Sequence, residues 1–348
     1  MKEMPGPSAG APAGQAAFEA AVAALQAGNQ AAAAEHFARV LRADPTHVQA
    51  HHFVGGFAFQ NGRYSEALQH FEQACRLDPK GAQHPFNSAV THLKLGGIDA
   101  ARRRLEAALA LDPRFDPGLW LLASLNLPGA YYLEVLSAIH SHLRPRTYLE
   151  IGVETGQSIA LARPETRAIG IDPEPEVKVQ LGSRTSIVMT TSDDYFATRN
   201  VRADLEGLPI DLAFIDGMHR FEFALRDFVN IEKHATPLST VLIHDCYPLN
   251  RLTAERERQT VFWSGDIWRL VLLLRKYRPD LSVNVIATAP TGLGMVRRLD
   301  PASRVLGERL EEIEHEFLAL DYSVLDADKP GILALYPNDW ERIKAILQ

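Results

Sequence analysis

The sequence predicts two folded parts: an all-α domain of helical repeats, followed by an α/β domain built on a doubly wound sheet. Three observations lead to this prediction. A set of residues recurs at a fixed spacing in the first third of the chain. Beyond residue 127, short apolar runs rich in β-branched residues alternate with amphipathic stretches. Polar residues follow several of these runs, at the strand ends where ligands bind in open α/β sheets.

The first third of the chain repeats with a period of 34 residues, as the Asp-Pro pairs that begin at Asp44, Asp78 and Asp112 show. A helix-ending glycine, a small alanine that lets two helices approach, and a Phe or Leu that fills the groove keep the same period. These residues are Gly28, Gly62 and Gly96; Ala33, Ala67 and Ala101; and Phe37, Phe71 and Leu105. Each repeat is therefore predicted to hold two helices, and Pro shortly after the second helix prevents its continuation.

The helices predicted from this pattern cover 16–27 and 30–42, 48–60 and 64–77, and 84–95 and 98–111, with a capping helix near 115–126. The pattern resembles the tetratricopeptide repeat, although Ala17, Ala21 and Ala24 stand where larger residues are usual. The resemblance implies a repeat domain over 15–126 whose concave surface docks a protein or peptide. The alternative is a packing or self-association role. Residues 1–14, rich in Pro, Gly and Ala, are expected to form a disordered lead-in.

Composition and charge limit the class of protein. The 348 residues are 46% hydrophobic and 23% charged, as in a soluble globular protein with ample core. The net charge of −7 argues against a general nucleic-acid binder. Two cysteines, far apart in sequence, indicate neither a disulfide framework nor a Cys-based zinc site. With no apolar signal segment and no membrane span expected, we predict a cytoplasmic protein.

The second part of the chain, residues 127–348, is predicted to contain seven strands. They lie at 147–152, 168–172, 186–190, 211–216, 240–245, 282–287 and 294–299. The connection between the last two is too short for a crossover helix, which predicts an antiparallel hairpin at the sheet edge. Five crossover strands followed by such a hairpin resemble the sheet of class I S-adenosylmethionine-dependent methyltransferases.

The first strand ends in E-I-G-V-E-T-G-Q-S, from Glu150 to Ser158. Gly152 and Gly156 permit a tight turn and close approach of a ligand, and Ser158 at a helix N-terminus could hold a carboxylate. The spacing differs from the dinucleotide fingerprint and from the P-loop. It is similar to the first motif of catechol O-methyltransferase-like enzymes, which implies that Glu150 and these three residues bind S-adenosylmethionine.

Two further strand ends fit the same resemblance. Asp172 ends the second strand 20 residues after Gly152, the distance at which an acidic residue grips a ribose. Its alternative role is to cap a helix that begins after Pro173. The segment after the third strand resembles the adenine-side loop of the family, which implies that Asp193 contacts adenine, with Asp194 as its rival.

The fourth strand runs into F-I-D-G-M-H, with Asp216 and His219, and the fifth runs into His244 and Asp245. These segments resemble macrolide-sugar and cephalosporin-type O-methyltransferases. The resemblance implies that Asp216 lies near the donor, that Asp216 and Asp245 bind Mg²⁺ or another divalent cation, and that His219 is the general base. His244 would be the third metal ligand where the sugar-modifying enzymes carry an acid. Mg²⁺ prefers oxygen, so a Mn²⁺- or Zn²⁺-tolerant site is the alternative.

The resemblance implies S-adenosylmethionine-dependent methylation of a hydroxyl on a sugar or natural-product-like acceptor, with catalysis by His219, Asp216 and Asp245. Two alternatives remain open: an acceptor that is a protein, peptide or carrier-bound group recruited by the repeats, and a repeat-based adaptor whose methyltransferase fold is not catalytic. The long segment 247–268 is expected to be either a lid or a helical insert with solvated charges. Its candidate acceptor contacts are Arg251, Arg256, Arg258, Trp263 and Trp268.

Overall fold

The structure is a computed structural model that describes residues 11–348, with side chains from residue 14 onward. The chain divides into two compact units, the first ending at Leu122 and the second spanning Ala123–Gln348. Of the predicted lead-in, residues 1–10 lie outside the described residues, whereas residues 11–14 belong to the first helix. Within residues 11–348, no helix has the length and apolar character that crossing a membrane requires.

The repeats fold into helices that pack in consecutive pairs, close to the predicted bounds. They are α1 (Ala11–Gln26), α2 (Gln30–Ala43), α3 (Val48–Gln60), α4 (Tyr64–Leu77), α5 (Gln83–Lys94), α6 (Ile98–Leu111) and α7 (Asp116–Asn126). The repeated glycines end their helices with positive φ, between 72° and 77°. The repeated alanines are fully buried, and Phe37, Phe71 and Leu105 pack beside them. The 34-residue period in the sequence therefore reflects the packing of the helix pairs, which requires a glycine at each helix end and a small residue at each buried contact.

The second unit is built on one sheet of eight strands, one more than predicted. After α8 (Tyr132–Leu143) the strands are β1 (Thr147–Ile151), β2 (Arg167–Ile171), β3 (Thr185–Val188), β4 (Leu212–Ile215), β5 (Thr240–Ile243), β6 (Ser282–Ile286), β7 (Leu293–Arg297) and β8 (Leu335–Tyr336). Their order is β3-β2-β1-β4-β5-β7-β6-β8. β1 to β5 are parallel, and β7 is antiparallel to both β5 and β6. Because β8 pairs with β6, the hairpin is not the edge that was predicted.

Helices cover both faces of the sheet, as expected when parallel strands are buried on both sides. The remaining ones are α9 (Ser192–Thr198), α10 (Val201–Asp204), α11 (Phe221–Glu232), α12 (Trp268–Tyr277), α13 (Leu310–Leu318), α14 (Lys329–Ile332) and α15 (Trp340–Leu347). One core contains residues of α9, α11, α12 and α13, such as Phe228 and Phe317. The other core contains residues of α8 and α15, such as Leu136 and Ile343.

Two predicted crossover helices are replaced by other structure. After β1 only a three-residue 3₁₀ helix forms, at Ile159–Leu161. Residues 172–184, all of them described, form no helix between β2 and β3. Pro173 and Pro175 lie in this short segment, and proline removes a backbone donor and disfavours the helical conformation of the preceding residue. The alternative prediction, in which Asp172 caps a helix, is therefore wrong.

Candidate active site

The loops after β1 and β4 touch at the carboxyl end of the sheet. The Asp216 amide donates to the Ile151 carbonyl at 2.8 Å, and Gly152 has φ of +84°. A Cβ on Gly152 would lie 2.1 Å from the Asp216 carbonyl oxygen. Glycine is therefore needed here so that the two loops can approach, which adds a packing role to the ligand role predicted from the sequence.

Gly152→Ala is expected to destabilise the second unit by about 4 kcal/mol or more, because a backbone clash adds to the strain of a positive φ. Gly207→Ala is the matched control, since Gly207 has φ of +84° and no described atom lies within 4 Å of the added Cβ. That control should cost only about 1–2 kcal/mol. Urea unfolding of both variants measures the difference, and equal costs would refute the close-approach argument.

Asp172 organises the glycine-rich turn through its carboxylate. Its Oδ2 accepts hydrogen bonds from the Val153 and Glu154 amides at 2.8 and 3.0 Å, and its Oδ1 accepts one from the Glu174 amide at 2.8 Å. A carboxylate oxygen has two lone pairs, so Oδ1 can still accept a ligand hydroxyl. The side chain is thus compatible with the predicted ribose contact.

The segment after β2 lies against the glycine-rich turn. The Glu176 and Lys178 amides donate to the Glu154 and Thr155 carbonyls, both at 2.9 Å. A Cβ on Gly156 would lie 3.1 Å from a Val177 methyl group. The space at Gly156 that was predicted to admit a ligand is therefore bounded by residues of the β2–β3 segment.

Glu150 and Ser158 bind each other inside the domain. Ser158 Oγ donates to Glu150 Oε1 at 2.6 Å, and the Tyr148 hydroxyl donates to Oε2. Burial raises the pKa of Glu150 to about 8, although both hydrogen bonds act to lower it. Ser158 precedes a short 3₁₀ helix and already donates to Glu150. Its predicted role of holding a ligand carboxylate at a helix N-terminus is therefore not supported by this geometry.

Glu150→Gln is expected to change how stability depends on pH. The folded state binds the Glu150 proton more tightly than the unfolded chain, whose carboxyl has the ordinary pKa of 4.5. The contribution of Glu150 to the free energy of unfolding should therefore fall as pH rises from 4.5 to about 8 and then level off. Relative to the wild type, Glu150→Gln should gain on the order of 5 kcal/mol across this range. Denaturant unfolding measures this gain; a gain no larger than that of the exposed control Glu308→Gln would contradict it.

The two aspartates predicted to contact adenine already have partners. Arg226 donates to both Asp193 oxygens, at 3.1 and 2.9 Å. Asp194 accepts from the Thr191 hydroxyl at 2.9 Å. Both residues follow β3 and lie in the first turn of α9. The sequence could not reveal that Arg226 of α11 binds Asp193.

Asp216, His219, His244 and Asp245 form one cluster at the ends of β4 and β5. Ile215 and Ile243 are register partners, which brings the following residues together. His244 Nδ1 lies 3.1 Å from Asp216 Oδ1 and 3.3 Å from Asp245 Oδ2. His219 Nδ1 lies 3.0 Å from Asp245 Oδ2, and its Nε2 lies 3.6 Å from Asp216 Oδ1. We call these four residues the acidic–histidine cluster.

Backbone strain accompanies the cluster. His219 and Asp245 have φ of 53° and 61°, a left-handed conformation that is uncommon for residues other than glycine. A Cβ on Gly265 would lie 1.8 Å from the His219 carbonyl oxygen, so the segment 247–268 reaches the cluster through this glycine. Such strained residues concentrate at functional sites, where the surrounding structure holds them in place.

Opposite charges face each other within the cluster. Burial acts to lower the pKa of His219, but the opposite effect of Asp245 and Asp216 is larger and raises this pKa to about 9. Burial also opposes ionisation of His244, and the same carboxylates raise its pKa well above the ordinary value. The pKa of Asp245 lies far below its usual range because the two histidines outweigh the effect of burial. The two carboxylates therefore favour a positive charge between them.

Three side chains of the cluster have ligand atoms within 4.8 Å of one another: Asp216, His219 and Asp245. Two carboxylate oxygens and an imidazole nitrogen are a donor set that suits Mn²⁺ or Zn²⁺ better than Mg²⁺. Among the described residues this group contains His219 and not the predicted third ligand His244. Glu222, a nearby acid on α11, is paired with Arg256 at 2.7 Å.

Aromatic rings cover both histidines. The Tyr132 ring centroid lies 4.3 Å from that of His244, and Trp263 stacks on His219 at 5.2 Å and an interplanar angle of 11°. Tyr131 packs against Tyr132 and is exposed over 40% of its surface. Neither tyrosine could be predicted as a site residue from the sequence, because both precede the first strand and belong to no motif.

Five residues of segment 247–268 were predicted to contact the acceptor. Among the described contacts, only the stacking of Trp263 on His219 joins one of them to the acidic–histidine cluster. Trp268 is buried in the core. The three arginines are engaged elsewhere: Arg251 with Asp321, Arg256 with Glu222 and Asp266, and Arg258 with backbone carbonyls. The segment therefore covers the cluster with an indole ring.

Two kinds of family model match the sequence. Models described as "Tetratricopeptide repeat" match residues 9–48, 18–82 and 58–125. A model described as "Methyltransferase domain" matches residues 149–246, which contain the glycine-rich turn, Asp172 and the acidic–histidine cluster. No curated protein matches the chain.

Several solved structures are similar to part of the chain. The crystal structure of MamA is 16% identical, with 33% of this chain and 67% of that one covered and a TM-score of 0.31. The TPR protein YrrB is 20% identical over 30% and 55% of the two chains, with a TM-score of 0.29. A mutant Thermobaculum terrenum O-GlcNAc transferase is 18% identical over 60% and 46%, with a TM-score of 0.33. From the family matches, the chain combines N-terminal tetratricopeptide repeats with a methyltransferase domain.

Proposed function

We propose that the protein transfers a methyl group from S-adenosylmethionine to a hydroxyl of a sugar or natural-product-like acceptor. The observation that carries the proposal is the acidic–histidine cluster, which lies at the carboxyl end of the sheet and at the edge of the turn where donor binding is expected. It falls within the part of the chain that matches a methyltransferase domain.

The donor would lie along the turn after β1, with its ribose at Asp172 and its methionine part near Asp216. The available Oδ1 lone pair of Asp172 suits a ribose hydroxyl. Asp216 borders both the β1 turn and the cluster, so it can face the donor and the acceptor. Holding both reactants in one orientation is a large part of what such a site contributes to the rate.

The acceptor oxygen would face Asp216, Asp245 and His219, which we propose hold a divalent cation. When bound, the donor supplies an electrophilic methyl group and the cation lowers the pKa of the hydroxyl that it contacts. Asp245 orients His219, and Trp263 and Tyr132 shield the imidazoles from water. The alternative role of His219 is that of a general base without a cation; its Nδ1 then faces Asp245, as an oriented base requires. Because the two carboxylates raise its pKa to about 9, only the neutral fraction of the imidazole can accept the proton.

The repeats support a second candidate, in which the acceptor is a protein, a peptide or a carrier-bound group. Tetratricopeptide repeats indicate protein interaction, and stacked repeats offer an extended binding surface. Under this candidate the reaction is the same and the repeats recruit the acceptor.

An acceptor screen tests the proposal. The full chain is incubated with S-adenosylmethionine, Mn²⁺ and panels of sugar, phenolic and peptide acceptors, and products are detected by the mass gain of one methyl group. Methylation of a sugar or phenolic hydroxyl is expected. Methylation of peptides alone would favour recruitment by the repeats, and no mass gain with any panel, despite donor binding, would favour the non-catalytic adaptor.

A further inference from the structure

Asp266 is a fully buried carboxylate that the proposed chemistry does not use, and it lies in the segment 247–268 that covers the cluster. Its Oδ2 accepts hydrogen bonds from Arg256 at 2.7 Å and from Arg269 at 3.1 Å. A buried carboxylate is costly unless opposite charges and hydrogen bonds compensate it. Because two guanidinium groups do so here, a charged carboxylate is stable at this position, and its remaining contacts indicate what it holds in place.

The Asp266 carboxylate caps α11 from a distant part of the chain. The amide of Phe221, the first residue of α11, donates to Asp266 Oδ1 at 2.8 Å. Arg220 stands at the N-cap position, and its guanidinium has no acceptor for this amide. The first N–H groups of a helix lack partners within the helix, and a negative charge beside them is favourable. Asp266 therefore supplies the cap that Arg220 cannot, and it fixes where α11 begins.

The backbone around Asp266 also holds His219, which lies two residues before α11. The Asp266 amide donates to the His219 carbonyl at 3.3 Å. Gly265 packs directly against the same carbonyl, so closely that a Cβ has no room there. Asp266 thus contacts the chain on both sides of Arg220, at the carbonyl of His219 and at the amide of Phe221. These contacts hold His219 in its left-handed conformation.

We propose that Asp266 is a positioning residue that keeps the His219 imidazole in place to bind the proposed cation. This inference rests on the proposed function, because it concerns the same group of ligands. His219 Nδ1 lies 3.0 Å from Asp245 Oδ2, and this distance depends on the strained backbone that carries the imidazole. Asp216 and Asp245 follow β4 and β5 closely, so the sheet holds them independently of Asp266. Loss of the Asp266 carboxylate should therefore weaken cation binding through His219 alone.

Mn²⁺ titration followed by electron paramagnetic resonance tests the inference on the full chain without any turnover. Asp266→Asn keeps the size of the side chain and removes its charge. It should raise the Kd for Mn²⁺ about tenfold, as the loss of a residue that orients a metal ligand does. His219→Ala, which removes the ligand itself, should raise the Kd at least as much. Asp266→Asn added to His219→Ala should raise it no further, because the first residue acts through the second.

Glu232→Gln is the matched control, because it breaks another buried ion pair of α11 at the opposite end of the helix. Glu232 binds Arg278 at 2.7 Å, and both side chains are buried. This variant should leave the Kd for Mn²⁺ unchanged, although it removes a comparable pair of charges. Urea unfolding establishes that each variant is folded under the conditions of the titration.

The outcomes separate this inference from the proposed function. A wild-type Kd in Asp266→Asn, effects that multiply in the double variant, or an equal loss in Glu232→Gln would overturn the assignment and leave the proposed cation standing. A folded wild type that binds no Mn²⁺ would reject both the cation and this inference. If Asp266→Asn does not fold, Arg256→Gln takes its place and the same outcomes decide, since Arg256 is partly exposed and binds Asp266 Oδ2.

Discussion

Asp245→Asn is expected to reduce methyl transfer by about 10³-fold, because this side chain supports both histidines and the proposed cation. Its Oδ2 lies 3.0 Å from His219 Nδ1 and 3.3 Å from His244 Nδ1, and only 4% of the side chain is exposed. Removing one member of a buried charge network leaves the others uncompensated, so the variant should also lose about 3–5 kcal/mol of unfolding free energy. Radiolabelled methyl transfer and urea unfolding measure the two effects.

The matched control for this prediction is Asp326→Asn, which makes the same chemical change at an exposed position of the same unit. It should leave both turnover and unfolding free energy near the wild-type values. Turnover of Asp245→Asn within about tenfold of the wild type would show that catalysis does not depend on the cluster.

Chelation of divalent cations is expected to lower turnover by about 10²-fold or more, and added Mn²⁺ should restore activity better than Mg²⁺. The reason is the donor set of Asp216, His219 and Asp245, which contains an imidazole nitrogen beside two carboxylates. His219→Gln should then raise the Mn²⁺ concentration needed for half-maximal activity. Turnover is followed after dialysis against EDTA and after titration with each metal.

Glu222→Gln is the control for His219→Gln, because Glu222 is a nearby acid that Arg256 already holds and that is not in the ligand group. It should leave the Mn²⁺ requirement unchanged. Full activity after thorough chelation would reject the cation. If His219→Gln then still costs about 10²-fold, the general-base role remains.

Apart from the start of α1, which lies at Ala11 instead of residue 16, the repeat helices could be predicted almost to the residue because their signals are local. A glycine that must adopt positive φ and an alanine that must be small recur with each helix pair, and they constrain the chain at that position alone. The strands of the second unit were predictable for a similar reason, since buried parallel strands are continuous apolar runs. The two-residue β8 gives no such signal, and its pairing with β6 depends on the path of the tail.

The candidate site was predictable where adjacent strands dictate it. Asp216, His244 and Asp245 follow two strands in register, so their meeting follows from the sheet. Contacts between side chains that are far apart in the sequence were not predictable. Asp193 is bound by Arg226 from 33 positions away, and Ser158 turns inward to Glu150. Tyr132 and Trp263 reach the histidines from segments without a motif.

The central claim is that this sheet binds a methyl donor, and calorimetric titration of the full chain with S-adenosylhomocysteine tests it most directly. We predict saturable binding with one ligand per chain. Gly152→Ala, if still folded, should weaken this binding, since the added Cβ would push the turn after β1, where the donor is proposed to bind, away from the Asp216 loop. A folded wild-type protein that gives no binding heat with either S-adenosylhomocysteine or S-adenosylmethionine would contradict the claim.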